Sequence, residues 1–537
     1  MVGACSGRAS RDRTQELMQI NNFLEAAAQR FPDKQALWHE GRWTTYGQID
    51  ALANKLANYL KEVHVSRGDR VAILYKNSLD HVVAYFAVLK AGAVAVSLQT
   101  ETTVDLLTLA LNDSGAKAIV ADAKYSRSLI PALGNVPELK EIISNQPGAF
   151  EREVRTHCHH SRLQDIYDNG DAGQPAVRCI DVDLASIVYT SGTTGVPKGV
   201  MLSHLNMVSN TKSIVQYLQL TENDRIMVIL PLYYKYGKSL LTTHFYVGGS
   251  VVLDNRFVFP QVVLETMRQT QVTGFAGVPS SFLVLLNRTM VSDLKCESLR
   301  YVTQAGGAMS PSIQKKVAEL IAPAKLYVMY GATEASPRLS YLDPADLPSK
   351  CGSVGKAIPN VELFIVDERG NRLPANSVGE VIARGSNIMM GYWNKPAETA
   401  AVLKDGLYHT GDTGRMDEDG FLYLMGRSDD MIKVSGYKVS PGEIEDVLFE
   451  IKGVSEAAVV GVPDSTVGEA IAAFVVPQQN VGLTRDGVKE ALKAVLPASK
   501  RPAYIELVDS LPRNAAGKIA RAELKMRYGL SAKAAVD

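Results

Sequence analysis

Residues 189–199 read Tyr-Thr-Ser-Gly-Thr-Thr-Gly-Val-Pro-Lys-Gly. Glycines leave backbone N–H groups open, the hydroxyls of Thr190, Ser191, Thr193 and Thr194 crowd beside them, and Lys198 follows. Open N–H groups, hydroxyls and an ammonium together suit a phosphate. A Walker A loop, however, needs its lysine directly before a Ser or Thr at a helix start. Here Pro197 separates Gly195 from Lys198, and Gly199 stands where the metal-binding hydroxyl would be. The stretch can cradle phosphates but lacks the Walker metal ligand. That weighs against a nucleotide-hydrolysing switch, whose products would be ADP and phosphate.

Four further stretches follow it in order: Tyr330-Gly-Ala-Thr-Glu334, Tyr408-His-Thr-Gly-Asp412, Gly426-Arg427 with Ile432-Lys-Val-Ser-Gly-Tyr-Lys438, and Pro512-Arg-Asn-Ala-Ala-Gly-Lys518. Singly, each reads as a strand end, a turn or a solvated charge. Together, in this order, they resemble the acyl-adenylate-forming superfamily: acyl-CoA synthetases, carrier-protein acyl ligases, peptide-synthetase adenylation domains and luciferases. The resemblance runs from about Asn22 to Leu524. It implies attack by a carboxylate on the α-phosphate of ATP, release of pyrophosphate, and transfer of the acyl group from acyl-AMP to a thiol.

The resemblance also implies roles. Thr190, Ser191, Gly192, Thr193, Thr194, Gly195 and Lys198 guide the β- and γ-phosphates, and Gly306 and Gly331 belong to the nucleotide site. Tyr330 offers adenine a flat face. Thr333 hydrogen-bonds the phosphate, and Glu334 is the Mg²⁺ carboxylate, a hard oxygen ligand suited to that ion. Asp412 accepts from the ribose hydroxyls, and Arg427 reaches ribose or phosphate. Lys518 swings in to neutralise the adenylation transition state. Asp429 is the hinge about which a small C-terminal domain turns between half-reactions. Gly436 then lines the channel for a pantetheine arm.

The acid is less legible. Leu230-Pro-Leu-Tyr-Tyr-Lys-Tyr-Gly-Lys238 occupies the segment that forms a wall of the acyl pocket in relatives, with Gly277 and Ala308 on other walls. Amino-acid-activating relatives commonly carry an aspartate where this chain has Tyr234, so an α-amino acid is disfavoured. Lys235 could meet a second carboxylate or polar group on the acid, or point to solvent. Small residues at 274–280 and 304–309 leave room for an extended chain, and a fatty or other hydrophobic acid is expected. For the thiol, Lys433 and Lys438 suit CoA. Ser435 stands where many CoA-dependent members have lysine, which keeps the phosphopantetheine of an acyl-carrier protein as the alternative acceptor.

These residues need a scaffold. Helical apolar spacing at 22–30 and 46–62 alternates with β-rich runs at 70–75, 118–122 and 185–190, an α/β pattern with mostly parallel sheets. The apolar window 81–98 reads as buried helix, turn and strand, too broken for a membrane span because His81, Lys90 and Gly92 interrupt it. Residues 142–181 are polar and read as a surface excursion, with His157-Cys158-His159-His160 as solvated histidines. Strands at 361–367 and 379–385 and a hairpin at 414–427 form a β-rich subdomain. A new unit begins at Asp429, with strands at 457–462 and 470–476 and helices at 440–450 and 485–496. The expected organisation is a large N-terminal domain, 1–428, of packed α/β sheets plus that β-rich subdomain, and a small mobile α+β C-terminal domain, 429–537.

The 537 residues exceed one ordinary core, and 57 basic residues balance 57 acidic ones. No global basic field invites nucleic acid or an anionic membrane. Five scattered cysteines argue for a reducing compartment, so a cytoplasmic location is expected.

Overall fold

The computed structural model describes residues 17–146, 158–190, 197–288, 296–434, 437–464, 468–478, 481–513 and 519–534. Two large sheets carry the N-terminal part. The first has eight strands, in the spatial order Gly391–Tyr392, Lys198–Ser203, Leu184–Thr190, Val94–Ser97, Arg70–Leu74, Ala118–Ala121, Glu141–Ser144 and His159–Arg162. Pairing is parallel from Leu184–Thr190 to the His159 edge and antiparallel at the other edge. The second has nine strands, with Lys325–Tyr330, Tyr301–Gln304, Gly274–Gly277, Arg225–Val228 and Ser250–Leu253 parallel at its centre.

Central strands such as Val94–Ser97 and Ala118–Ala121 are buried at every position, as expected of parallel strands covered on both faces. Helix Leu79–Lys90 is capped by the Ser78 side chain and buried from His81 to Lys90, which explains its continuous apolar run. Its one basic residue, Lys90, has a side chain only 1% exposed but bonds Asp50 at 2.7 Å, Glu25 at 3.5 Å and Asn54 at 2.8 Å. Buried charge is tolerated here because it is paired.

A five-stranded antiparallel subdomain, Val361–Val366, Val378–Gly385, Leu407–Met416, Leu403–Lys404 and Leu422–Arg427, packs a core around Tyr330, Tyr408 and Leu422. The C-terminal unit has its own five-stranded sheet, which includes Ile432–Val434, Val454–Asp464 and Gly468–Pro477. Helices Pro441–Glu450 and Arg485–Val495 pack on it around a separate apolar core. The mixed α/β architecture of a large N-terminal and a smaller C-terminal domain is therefore as expected. Among the described residues, no helix is long and apolar enough to cross a membrane.

One expectation is corrected. Part of the polar stretch 142–181 is not irregular: His159–Arg162 adds a parallel edge strand beside Glu141–Ser144, and a helix, Leu163–Asn169, follows. His159 Nδ1 lies 3.0 Å from the Glu141 carboxylate, and His160 Nε2 lies 2.9 Å from Ser144 Oγ. Backbone pairing made this strand where side-chain pattern gave no sign of one.

Candidate active site

In the second sheet, four adjacent parallel strands end on the same edge: Arg225–Val228, Gly274–Gly277, Tyr301–Gln304 and Lys325–Tyr330. The segments holding Tyr234 and Lys235, Gly277, Gly306 and Ala308, and Tyr330 to Glu334 occupy or follow the carboxyl ends of these strands. Residues a hundred positions apart in the chain thus line one edge, the usual ligand edge of a parallel sheet. Gly306 opens its loop at φ +89, in the left-handed region that favours glycine. Ala308 is exposed there, and Gly277 is buried against Phe282 and Ser281.

The phosphate stretch differs from a Walker loop in fold as well as sequence. Thr190 closes strand Leu184–Thr190 and pairs antiparallel with Lys198, the first residue of Lys198–Ser203. An antiparallel strand, Lys198–Ser203, stands where a Walker fold would have a helix. Ser191, Gly192, Thr193, Thr194 and Gly195 lie outside the described residues.

Residues 389–393 tie this hairpin to Glu334. Gly391–Tyr392 pairs with Val200 and Met201, and Met389 N–H donates to the Glu334 carbonyl at 2.8 Å. The Tyr392 hydroxyl donates to Glu334 Oε1 at 2.8 Å, while the Lys198 ammonium lies 5.2 Å from the Tyr392 ring centroid. Burial, reinforced by Glu334, pushes the Tyr392 phenol well above the ordinary tyrosine range, so it remains a donor. Tyr392 escaped the sequence reading. The aromatic pair Tyr392-Trp393 after a glycine was its only signal.

On the other side of the same strand end, the Tyr330 hydroxyl donates to Asp412 Oδ2 at 2.5 Å. A bond to a charged acceptor contributes about 1.5–3 kcal/mol. Tyr330 is only 7% exposed, so most of its area serves the core. Asp412 is not in a turn but within strand Leu407–Met416, opposite Arg427 in register, with Arg427 Nη1 3.8 Å from its Oδ1. Thr333 and Glu334 form a short 3₁₀ turn, both half-buried. Asp429 lies in an exposed turn between Arg427 and strand Ile432–Val434. Gly436 and Lys518 lie outside the described residues.

Gly331 separates the two clusters. A Cβ there would sit 1.8 Å from the Pro337 carbonyl oxygen, closer than any nonbonded contact permits. Gly331→Ala therefore forces the backbone between Tyr330 and Glu334 to move. The expected result is a loss of about 1–3 kcal/mol in thermal unfolding and about a hundredfold in acid-dependent ATP–pyrophosphate exchange. Wild-type stability and exchange would contradict this geometry.

At the acyl-side segment, Tyr234 precedes helix Lys235–Val247, its ring 4.7 Å from that of Tyr233. Lys235 does not point to solvent: it is 4% exposed. Burial, and next the neighbouring Lys238, lower its pKa well below the usual lysine range. Lys238 is 1% exposed, donates to Ser97 Oγ at 2.7 Å, and burial lowers its pKa to about 7.

Among the described residues, no cluster of three His, Cys, Asp or Glu could hold a metal. Glu334 is instead a single carboxylate with one oxygen held by Tyr392. That donor set fits Mg²⁺, which is commonly bound by one or two carboxylates and the substrate's phosphates.

The arrangement defines a two-domain α/β nucleotide enzyme. Residues 24–393 match the AMP-binding enzyme family and residues 443–518 match the AMP-binding enzyme C-terminal domain, a match whose last residue is Lys518. The chain is 34% identical to a long-chain-fatty-acid–CoA ligase of Salmonella typhimurium, over 96% of this chain and 95% of that one. Among solved structures, the anthranilate CoA ligase AuaEII in complex with anthranoyl-AMP aligns with a TM-score of 0.88 at 28% identity, covering 96% of this chain and 98% of that one. ATP-bound MatB from Rhodopseudomonas palustris aligns with a TM-score of 0.85 at 29% identity, covering 95% and 99%. The chain belongs to the AMP-binding enzyme family, and its class is AMP-forming acid–thiol ligase.

Proposed function

We propose that the protein condenses a carboxylic acid with an extended apolar stem and ATP into acyl-AMP and pyrophosphate, then transfers the acyl group to the thiol of CoA. The observation that carries this reading is the convergence at one strand end. Tyr392 joins the 198–203 hairpin to Glu334, and Tyr330 joins that same strand end to Asp412 and Arg427. A hairpin that can take phosphates and a carboxylate that can take ribose hydroxyls thus flank a single acidic residue.

In this reading Lys198 and the 190–195 loop orient the β- and γ-phosphates, and Thr333 holds the α-phosphate. Asp412 and Arg427 fix the ribose, and Tyr330 orients Asp412 while presenting its remaining exposed edge to adenine. Glu334, with the phosphates themselves, would hold Mg²⁺, which supplies positive charge where two anions must meet. Tyr234, Gly277 and Ala308 border the acid. The N-terminal domain ends at residue 428, and the C-terminal domain from 429 brings Lys518 for adenylation and the Gly436 loop for the thiol. A cytoplasmic location accords with the few, scattered cysteines.

The names of the relatives point to different acids, long-chain fatty acids in one and anthranilate in another, so identity does not transfer the acid. The test is an exchange panel of carboxylic acids, followed by thioester formation from the best acid. CoA-thioester is expected. Acylation of a carrier protein but not CoA would replace CoA by the alternative acceptor, and no exchange with any acid would overturn the reading.

The hinge gives a separate expectation. Asp429 is exposed, and the chain around it is tied back by Ser428 N–H to the Gly411 carbonyl and Asp430 N–H to the Arg427 carbonyl. Asp429→Pro fixes φ there and disfavours the helical region at Ser428. One half-reaction should fall at least about tenfold more than the other, each assayed separately. Unchanged steady-state turnover would remove Asp429 from the hinge.

A further inference from the structure

The first turn of helix Lys235–Val247 bridges the two large sheets at their carboxyl edges. Lys238 reaches Ser97, the last residue of Val94–Ser97 in the first sheet. The Tyr236 hydroxyl bonds Thr303, in Tyr301–Gln304 of the second, its oxygen 2.9 Å from Thr303 Oγ1. Lys235 lies in this seam directly after Tyr234, at 4% exposure, and no bond or ion pair holds its ammonium among the described residues.

The spare polar capacity nearby lies around its neighbour Lys238. Lys238 lies 4.6 Å from the Tyr85 ring centroid. The Tyr75 hydroxyl, the Tyr85 hydroxyl and His81 Nε2 are all buried without partners among the described residues. Among the described residues, the charged group that acts on Lys235 is Lys238, another cation. Elsewhere this chain buries a lysine for structure quite differently: Lys90 is met by Asp50, Glu25 and Asn54. A lysine amine set in such surroundings without a bonded partner or an opposite charge is a recurrent mark of a functional site. A neutral aliphatic tail against Lys235 would leave it without a partner, whereas an anion would supply one.

We propose that Lys235 receives a second anionic group of the acid, so that the substrate is a dicarboxylic acid: one carboxylate is adenylated and the distal one pairs with Lys235, with Lys238 reinforcing the positive field. This rests on the ligase reading above and narrows its acid.

The test compares pyrophosphate exchange by the full-length enzyme with straight-chain monocarboxylic acids and with the α,ω-dicarboxylic acids of equal length. Wild type should favour its best dicarboxylic acid over the matched monocarboxylic acid by at least about tenfold in kcat/KM, since a buried polar group left unpaired rejects the wrong substrate strongly. Lys235→Met, similar in volume, should lower that ratio at least about tenfold, and Lys235→Arg should keep it above one. Thermal unfolding separates specificity from structure: Lys235→Met should melt no lower than wild type, because it replaces a buried amine that has no bonded partner by an apolar side chain of similar volume.

A wild-type preference for monocarboxylic acids at every length would overturn the proposal while leaving the ligase reading intact. So would a ratio that Lys235→Met does not change, or a Lys235→Met protein that melts well below wild type. Absence of exchange with any acid would overturn the ligase reading, and this subsite with it.

Discussion

Replacing Lys518 by alanine is expected to lower acyl-AMP formation by about a hundred- to a thousandfold, while transfer of acyl from supplied acyl-AMP to the thiol changes far less. The asymmetry is the informative part. Adenylation brings a carboxylate against the α-phosphate, and a preorganised cation aimed at the developing charge contributes about a hundred- to a thousandfold. Thiol transfer breaks the acyl–phosphate bond after that encounter is over, and under the proposed hinge at Asp429 it needs no cation from Lys518. The two rates are read by pyrophosphate exchange and by thioester formation from synthetic acyl-AMP. Equal losses in both would remove Lys518 from the adenylation step.

Glu334→Gln should have the second largest effect. Glutamine keeps the size of the side chain and an oxygen that can still accept from Tyr392, whose hydroxyl lies 2.8 Å from Glu334 Oε1 in the native protein. The substitution removes the negative charge and little else. The expected outcome is a fall in exchange of about a hundredfold or more, with the Mg²⁺ concentration for half-maximal rate raised about tenfold or more. The check is a Mg²⁺ titration of the exchange rate at fixed ATP. An unaltered Mg²⁺ dependence would mean that Glu334 serves the fold through Tyr392 and Met389 and does not hold the ion.

Much of the scaffold was legible because its physics is local. The apolar periodicity of 46–62 gives helix Tyr46–Glu62, started by Thr45 and Gln48 as a capping box. The runs at 361–367 and 379–385 became adjacent antiparallel strands, and the Asp-Glu-Asp-Gly turn between Leu407–Met416 and Leu422–Arg427 closed the expected hairpin. What the sequence hid depends on pairing between distant segments. His159–Arg162 is a strand only because Glu141–Ser144 offers it an edge. Asp412, in a stretch that alone reads as a turn, is paired with Arg427 of Leu422–Arg427 beside a bulge in the pairing with Val378–Gly385.

The site divides the same way. Glu334 and Asp412 stand out as carboxylates in Gly- and Thr-rich motifs, but the tyrosines that orient them do so from afar. Tyr392 is 58 residues from Glu334 and Tyr330 is 82 from Asp412. Nothing in either local sequence announces the partner. Lys235 shows the converse: its type was visible, but whether it faced solvent or the seam between sheets depended on Lys238 reaching Ser97, 141 residues away.

The central claim, that an acid is activated as acyl-AMP before any thiol is involved, is tested most directly by label transfer from pyrophosphate into ATP. With the purified full-length protein, ATP and Mg²⁺, label should enter ATP only when a carboxylic acid is present and should need no CoA. Lys518→Ala should abolish most of the signal. Acid-independent turnover of ATP to ADP and phosphate, with no label entering ATP for any acid, would contradict the account.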